Sequence, residues 1–387
     1  MLKHILTLFC NQKRSYIGMF AEQMLVFVVL LYCFIVAGEA IQRYCAPGML
    51  NTDNVVYFNC YTRGGESLNQ DDEKEKLKSL CERLENSPMV VALTRTSQFI
   101  PYMRGENDYR EDSVRIGSDK MVVFIKSADE KTLTVFQPML EEGDWLKEEK
   151  LDDGSWPIVI TRQLADEVGW TDVIGKKIND LGYEFTVVGV ITGYKHDPMK
   201  CSRPTMIIPF CLWSKWTECS VLVREGELAN FRNFLYKEFY KIFEKGKDGL
   251  GIMDMSKIKD FYLQSDFLVL ISLLIPTGFL LIFAFIGTFG VFWLYSTKRR
   301  KEFALRLVVG STARELFRFV ITEGVLLTLM SLLPGCILFC WVYPFSTVYL
   351  LAFGIAFGVM ILFSVFSAWL PAYQVARVNP VEAMREE

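Results

Sequence analysis

Four long stretches that are almost free of charged residues constrain the fold of this chain more than any other feature. They cover residues 17–39, 267–297, 319–343 and 347–370. Each approaches or exceeds the ~20 apolar residues that a helix needs to cross the ~30 Å hydrocarbon core of a bilayer. We therefore predict an α-helical membrane protein with one transmembrane helix before a large polar region and three after it.

Basic residues near these stretches predict the orientation of the chain. The flanking basic residues are Lys13, Arg14, Lys298, Arg299, Arg300, Lys301, Arg377 and Arg385. The short turn at residues 344–346 has no Lys or Arg. Because Lys and Arg in short flanking segments stay in the cytoplasm, we expect residues 1–16 and 371–387 to be cytoplasmic together with the connector at 298–318. Residues 40–266 then lie outside.

The first stretch has two interpretations, a cleaved signal peptide or an uncleaved membrane anchor. Residues 24–38 form a short apolar run behind basic residues, which fits a signal peptide. Including residues 17–21 makes the helix longer than a signal peptide, although Glu22 and Gln23 must then lie near the inner interface. We favour the anchor.

Residues 40–266 have the alternating patterns of a folded α/β domain. Its outer parts contain predicted strands at 54–63, 90–96, 204–209 and 220–224 and predicted helices at 71–85 and 227–243. We therefore predict an α/β part, residues 40–98 and 198–266, that is interrupted by a β-rich insertion at 99–197. The strands predicted in the insertion are at 121–126, 132–137, 158–161 and 185–191. A helix at 255–266 should continue into the second span.

Residues that could support catalysis are scarce. The chain has only two histidines, His4 and His196, which leaves little for a histidine-based triad or a multi-histidine metal site. We interpret His196 and Asp197 as a loop pair. Residues 172–178 contain a Gly-Lys pair but lack the first glycine and the hydroxyl residue of a phosphate-binding loop. The formal net charge of −3 argues against binding of nucleic acid. We expect no catalytic, metal or cofactor site in this chain.

The cysteines of the polar region leave more than one interpretation open. They are Cys45, Cys60, Cys81, Cys201, Cys211 and Cys219. An external compartment permits disulfides, and six cysteines allow fifteen complete pairings. A metal site is disfavoured by irregular spacing, so buried free thiols or one or two disulfides of unknown pairing remain.

The connector combines a basic cluster with helix signals. After the cluster, apolar residues at positions 303, 305 and 307–309 predict a short helix that ends at Gly310. Thr312 and Glu315 fit a capping box at the start of the third-span helix.

The C-terminal tail repeats this pattern. Asn379, Pro380 and Glu382 fit the cap and first turn of another small helix. Both short helices can act as interfacial anchors or as surfaces for a partner, and the residues alone favour neither.

Residues within the spans add expectations about packing. Gly354 and Gly358 form a small-xxx-small pair that permits close approach of another helix, and we favour packing inside one protomer over a dimer seam. We expect Pro371 to end the fourth span and Glu323 to face other helices.

Three segments carry a resemblance to a known family. EFALRLVVGSTARELFRFVITEG, residues 302–324, resembles the stretch after the second span in MacB/FtsX-like (type VII) ABC transporter permeases. PAYQVARVNPVEAMREE, residues 371–387, is similar to their C-terminal ending, with Met384 where Leu is usual. The external WPIVITRQLADEVGW series resembles the MacB-type periplasmic core domain. Together with the order of spans, the resemblance covers nearly the whole chain.

The resemblance implies a fold and a mechanism. The external domain would have a ferredoxin-like part with a β-rich insertion, in a multi-pass protein of the inner (plasma) membrane. The chain would be a permease subunit without catalysis of its own, and a separate cytoplasmic ABC ATPase would bind ATP and Mg²⁺. That ATPase would grip the connector, for which we expect the coupling residues Glu302, Phe303, Arg306, Gly310 and Arg314.

The resemblance also implies partners and leaves other functions open. A second permease chain, identical or paralogous, would pair with this one in the lipid membrane, and a periplasmic adaptor or substrate protein would contact the external domain. The work done would be export of a substrate or a related mechanotransmission. The alternatives are an FtsX-like regulator of a periplasmic enzyme and an ATP-independent membrane sensor.

Overall fold

The computed structural model describes residues 13–62, 70–102, 111–116, 119–180, 182–213 and 218–377. The chain divides into two compact units. We call Met1–Gln42 with Phe267–Glu387 the helical unit, and Arg43–Asp266 the sheet unit. The predicted tail cap at Asn379, Pro380 and Glu382 lies outside the described residues.

The helices and strands are numbered along the described part of the chain. The helices are α1 (Lys13–Cys45), α2 (Gln70–Glu85), α3 (Thr132–Phe136), α4 (Arg162–Val168), α5 (Leu228–Ile242), α6 (Met255–Lys298), α7 (Arg300–Val308), α8 (Ala313–Val342) and α9 (Thr347–Ala376). The strands are β1 (Val55–Thr62), β2 (Val90–Ser97), β3 (Glu111–Ile116), β4 (Asp119–Ala128), β5 (Leu140–Gly143), β6 (Trp156–Thr161), β7 (Lys177–Asp180), β8 (Tyr183–Ile191), β9 (Thr205–Pro209), β10 (Glu218–Val223) and β11 (Asp248–Asp254).

Four helices are long and apolar enough to cross a membrane, as the sequence predicts. They are Ile17–Cys45 within α1, and the whole of α6, α8 and α9. Helix α6 runs without a break from Met255, which confirms that the predicted helix at 255–266 continues into the second span. The arrangement of one span, a sheet domain and three further spans is therefore confirmed.

Helix α1 packs in the core of the helical unit together with α8 and α9. Its buried side chains include Phe27 and Leu31, which lie in one cluster with Leu332 of α8 and with Ala356 of α9. A Cβ atom placed on Gly335 would lie 2.6 Å from the ring of Phe27. The glycine therefore lets α1 and α8 approach each other closely, as expected for helices packed in a membrane.

Two expectations about the fourth span are wrong. Helix α9 continues past Pro371 to Ala376, because Ala372 and Val375 are buried in a cluster of apolar side chains that holds the last turn. Gly354 and Gly358 do not pack inside the protomer, since no heavy atom lies within 4 Å of a Cβ built on either. The 3.6-residue period of the helix turns them away from its inward face.

The sheet unit contains one mixed sheet, which has eleven strands among the described residues. Its order is β11-β1-β10-β2-β4-β9-β6-β8-β5, with β3 paired to β4 and β7 paired to β8. The pairs β4–β9 and β6–β8 are parallel, and the other pairs are antiparallel.

One end of this sheet has a ferredoxin-like arrangement. The chain follows β1-α2-β2 and later β10-α5-β11, and these strands lie in the order β11-β1-β10-β2. The two helices cover one face, with Leu80 and Leu84 of α2 packed near Phe231, Leu235 and Phe239 of α5. Because α2 and α5 are amphipathic, burying their apolar stripes against the strands stabilises this layer.

The remaining strands form the predicted β-rich insertion. They join the ferredoxin-like part through two residue pairs between β2 and β4, Thr96 with Ala128 and Ser97 with Ser127. The strand at Thr205–Pro209 is confirmed, but it pairs with β4 and β6, so the insertion extends beyond the predicted end at residue 197.

One predicted strand in the insertion is wrong. The segment at 132–137 forms helix α3, Thr132–Phe136, instead of a strand. Asp129 Oδ1 accepts hydrogen bonds from the backbone N–H and the hydroxyl of Thr132, both at 3.1 Å, which satisfies a donor of the first turn. Gln137 then adopts a left-handed conformation that ends the helix. This side-chain bond outweighs the strand preference of a β-branched sequence.

Candidate functional site

The connector forms a helix, a turn and a second helix start, as predicted. Helix α7 ends in a left-handed Gly310, whose N–H donates to the carbonyl of Leu307 at 3.1 Å while Ser311 N–H donates to Arg306 at 2.9 Å. This is a Schellman motif, which requires a residue that tolerates positive φ. The next helix, α8, opens with a reciprocal capping box.

The capping box joins Thr312 and Glu315. Glu315 N–H donates to the hydroxyl of Thr312 at 3.3 Å, and Thr312 N–H donates to the carboxylate of Glu315 at 2.8 Å. Two backbone donors at the start of α8 are thereby satisfied. The turn between α7 and α8 is thus fixed from both sides by local chemistry.

Arg299 anchors the connector to the third-span helix. Its Nη1 atom donates to both carboxylate oxygens of Glu323 at 3.1 Å, and its Nε and Nη2 atoms donate to Glu302 at 2.9 and 3.1 Å. Arg299 and Glu323 are buried, with side chains 9% and 5% exposed. Charge-assisted bonds of this geometry are among the strongest available to side chains. Glu323 therefore faces other helices, as predicted.

Arg306 extends the same network. Its Nη2 atom donates to Glu302 at 2.6 Å, and its guanidinium lies 4.6 Å from the ring centroid of Phe319. Hydrogen bonds from Arg299, more than those from Arg306, hold the pKa of Glu302 below its usual range. Glu302 is thus ionised at neutral pH and bridges two arginines.

An apolar cluster completes the inner face of the connector. Phe303 is 1% exposed and lies in a cluster with Leu316 of α8 and Val375 of α9. The guanidinium of Arg299 lies 5.0 Å from the ring centroid of Phe303. The apolar and charged contacts together fix α7 against the helices that follow it.

The structure separates the five predicted coupling residues into two groups. Glu302, Phe303 and Arg306 belong to the inner network, and Phe303 is buried. Of the five predicted coupling residues, only Gly310 and Arg314 are exposed. We therefore correct the expectation that Phe303 contacts a partner directly. Its burial gives it a packing role.

The outer face of the connector carries exposed apolar residues, which the sequence indicates as part of the short helix but not as contact residues. Leu305 is 51% exposed, Val308 is 61% exposed and Val309 is 85% exposed. Their spacing of three and four residues places them on one face of α7. Because residues 303, 304 and 307 already fill the opposite face, a count of both faces would have revealed this second apolar surface. We call Leu305, Val308 and Val309 the outer face of α7.

His196 is embedded in the sheet unit and is unsuited to proton transfer. Its ring lies 4.8 Å from that of Tyr194 and 5.1 Å from that of Phe124. Burial, followed by the nearby charges of Lys126, Arg203 and Lys200, lowers its pKa to about 2. The imidazole is therefore neutral at physiological pH and part of the core.

The four spans, the capped connector and the interrupted ferredoxin-like sheet define a membrane protein with a large sheet domain between its first and second spans. The model of the MacB-like periplasmic core domain matches residues 27–230, which is more than half of the chain. The model of the FtsX-like permease C-terminal region matches residues 274–380, which includes the connector. The chain belongs to the MacB/FtsX-like family of ABC transporter permeases.

Curated relatives are distant in sequence. The macrolide export ATP-binding/permease proteins MacB 1 of Yersinia pestis bv. Antiqua (strain Antiqua) and of Yersinia pseudotuberculosis serotype I (strain IP32953) are each 21% identical over 294 residues. The match covers 71% of this chain and 45% of each relative. The chain therefore spans less than half of the length of these relatives.

Two solved structures match the chain in part. The periplasmic region of MacB from Actinobacillus actinomycetemcomitans is 13% identical, with 54% of this chain and 92% of that chain covered and a TM-score of 0.38. The extracellular domain of the ABC-type transporter YknZ from Gram-positive bacteria is also 13% identical, with 52% and 100% covered and a TM-score of 0.38.

Proposed function

We propose that this permease couples ATP hydrolysis by a separate cytoplasmic ATPase to a rearrangement of its extracytoplasmic domain. The work done is export of a substrate or a related mechanotransmission. One observation carries the proposal: the connector is fixed to the spans on its inner side and presents the outer face of α7 on the other. In this proposal, ATP and Mg²⁺ bind in the partner.

The inner contacts give the connector the stiffness that coupling requires. Arg299 contacts carboxylates on α7 and α8, and Phe303 packs against side chains of α8 and α9. A displacement of α7 is therefore passed to two spans instead of being absorbed at the Gly310 turn. Since α6 is one helix from Met255 to Lys298, it links the connector covalently to strand β11.

The outer face of α7 supplies the contact with the ATPase in this proposal. Exposed apolar residues flanked by the cations of Arg314 and Arg318 fit a partner groove that is apolar at its centre and acidic at its rim. This arrangement places the docking residues on the side of α7 opposite to Phe303.

A co-purification experiment tests the proposal. The full chain is extracted from native membranes, and the proteins that accompany it are identified together with their ATPase activity. We expect an ABC-type ATPase with the wild-type chain and at least a tenfold loss of it with Leu305→Glu/Val309→Glu. The matched control Lys298→Glu/Ala313→Glu introduces the same two carboxylates at exposed connector residues that lie outside α7 and should reduce recovery less.

Each result bears on a different part of the proposal. Recovery of no ATPase with the wild-type chain contradicts the coupled function and favours an ATP-independent sensor. Undiminished recovery with Leu305→Glu/Val309→Glu contradicts the assignment of the docking face while leaving the coupled function in place. An accompanying enzyme of the cell wall would favour the regulator of a periplasmic enzyme.

We also propose that a second permease chain pairs with this one through the fourth span. The exposed Gly354 and Gly358 support this pairing, because small residues four apart let a second helix approach closely. Single cysteines introduced at these positions should crosslink between protomers in native membranes. Gly278 is an equally open glycine on α6. If a cysteine at position 278 crosslinks and cysteines at positions 354 and 358 do not, the proposed seam is wrong.

A further inference from the structure

Three cysteines meet in the ferredoxin-like part of the sheet unit. Cys81 of α2 and Cys219 of β10 are both buried, and their Sγ atoms lie 3.7 Å apart. Cys60 lies on the neighbouring strand β1, two residues beyond Phe58, which pairs directly with Cys219. Since alternate residues of a strand share a face, Cys60 points to the same core.

The surroundings of the pair are apolar. Leu80, Leu84, Val221 and Leu235 belong to the same cluster. The contact with Cys81, together with burial, raises the pKa of Cys219 well above its usual range. Thiols in this setting are poor nucleophiles in the folded domain. A metal is also disfavoured, because no cluster of three or more His, Cys, Asp or Glu residues suited to a metal occurs in the described part of the chain.

Burial distinguishes this pair from the remaining cysteines of the unit. Cys45, Cys201 and Cys211 are exposed, and Cys60 is only partly buried. A disulfide requires an S–S separation of about 2.05 Å, and the 3.7 Å contact already places the two sulfur atoms side by side. Of the fifteen complete pairings that six cysteines allow, three join Cys81 to Cys219, and the fold favours these three.

We propose that Cys81 and Cys219 form an intramolecular disulfide that ties helix α2 to the central strand β10. The oxidant is a disulfide of the extracytoplasmic compartment, carried by a thiol–disulfide oxidoreductase. A thiolate of one cysteine attacks that disulfide and forms a mixed disulfide, which the second cysteine resolves. The two cysteines lose two electrons and two protons in total, and the oxidant is released as a dithiol.

The bond forms before α2 docks on the sheet. In the folded unit both sulfur atoms are shielded from an oxidant, so exchange is fast only while α2 is open. Once formed, the bond links residues 138 positions apart and encloses the whole β-rich insertion in one loop. Restricting the unfolded chain over a loop of this length stabilises the folded unit.

Peptide mapping of the full-length protein tests the proposal. Membranes are dissolved in denaturant that contains N-ethylmaleimide, so that buried free thiols are blocked as well, and the chain is then purified without reductant. We expect a peptide that links Cys81 to Cys219 and is lighter than the reduced pair by two hydrogen atoms, with Cys201 alkylated. Alkylation of both Cys81 and Cys219, or a link between Cys60 and Cys219, overturns the proposal.

Thermal unfolding in detergent supplies a second measurement. The wild-type chain is unfolded, reduced and then refolded in reductant. This treatment should lower the midpoint temperature of unfolding of the sheet unit by roughly 5–10 °C. The variant Cys60→Ala should keep this reductant-sensitive shift, whereas Cys81→Ala/Cys219→Ala should lose it. A shift of unchanged size in the double variant overturns the proposal even if that variant is less stable. None of these results depends on an ATPase partner.

Discussion

Arg299 determines the geometry of the connector more than any other single residue, because it contacts carboxylates on two helices. Its pair with Glu323 is almost fully buried, so replacing Glu323 removes the buried partner and leaves Arg299 with the carboxylate of Glu302 alone. We expect Glu323→Gln to destabilise the helical unit by about 1–3 kcal/mol, measured by thermal unfolding in detergent.

A variant that replaces both charged residues separates the structural contribution of this pair from a role in coupling. The variant Arg299→Met/Glu323→Met replaces both charges with apolar groups and should be more stable than Glu323→Gln. If the pair positions α7, the double variant should still bind an ATPase but show reduced ATP-dependent change. If a stable double variant shows the full ATP-dependent change, the pair of Arg299 and Glu323 has only a structural role.

His196 should make the stability of the sheet unit depend on pH. Its folded pKa of about 2 lies below its ordinary value of about 6.5, so the unfolded chain binds more protons below pH 6.5. This contribution is fully present above pH 6.5 and is lost progressively as the pH falls. Lowering the pH from 6.5 to 5 should cost at most about 2 kcal/mol.

Thermal melts at several pH values measure this dependence. The variant His196→Phe keeps a ring between Phe124 and Tyr194 and should flatten the pH dependence between pH 6.5 and 5. The matched control His4→Gln changes the second of the two histidines and should leave the slope unchanged. An equal slope in His196→Phe and the wild-type chain would contradict the assigned pKa.

At the scale of whole elements, the glycines of the spans distinguish inward from outward helix faces. A methyl group on Gly335 would meet the ring of Phe27, whereas one on Gly358 would meet open space. We expect Gly335→Ala to destabilise the helical unit by about 1–3 kcal/mol, because close-packed cores do not accept extra volume. Because Gly358 lies on the proposed seam with a second chain, this measurement uses monomeric protein, in which Gly358→Ala should be neutral or stabilise by up to about 1 kcal/mol.

Parallel melts of the two alanine variants in detergent test this contrast. Both changes insert one methyl group into a membrane-spanning helix, so each serves as the control for the other. Equal destabilisation by the two variants would show that helix propensity or lipid contacts, instead of the contact with Phe27, govern the response.

The elements that sequence alone predicts are those whose signals are local. The four spans, the Gly310 terminator and the capping box of Thr312 and Glu315 depend on composition or on residues three apart, and all are found. The helix at Thr132 depends on the side chain of Asp129, which a strand-like sequence pattern does not reveal. Local patterns predict an element best when no distant side chain competes for its backbone.

The candidate site was only partly predictable for a related reason. Hydropathy shows that α7 is amphipathic, but it does not show which apolar face a neighbouring helix covers. Burial of Phe303 depends on Leu316 and Val375, which come from two other helices. The proposed partner surface is therefore the outer face of α7 and not Phe303.

At the scale of the whole molecule, each unit has hydrophobic cores of its own. Among the described residues, three apolar clusters lie in the sheet unit and three in the helical unit. The chain passes between the units twice, within the long helices α1 and α6. A unit that buries its own apolar surface can unfold as a cooperative entity of its own.

We therefore expect two transitions when the full chain is heated in detergent and followed by scanning calorimetry. Gly335→Ala should shift only the transition of the helical unit, since its methyl group meets Phe27 in that unit. Acidification from pH 6.5 to 5, and reduction, should shift only the transition of the sheet unit, which contains His196 and the pair of Cys81 and Cys219. A single transition that moves under all three changes would show that α1 and α6 make the molecule one cooperative unit.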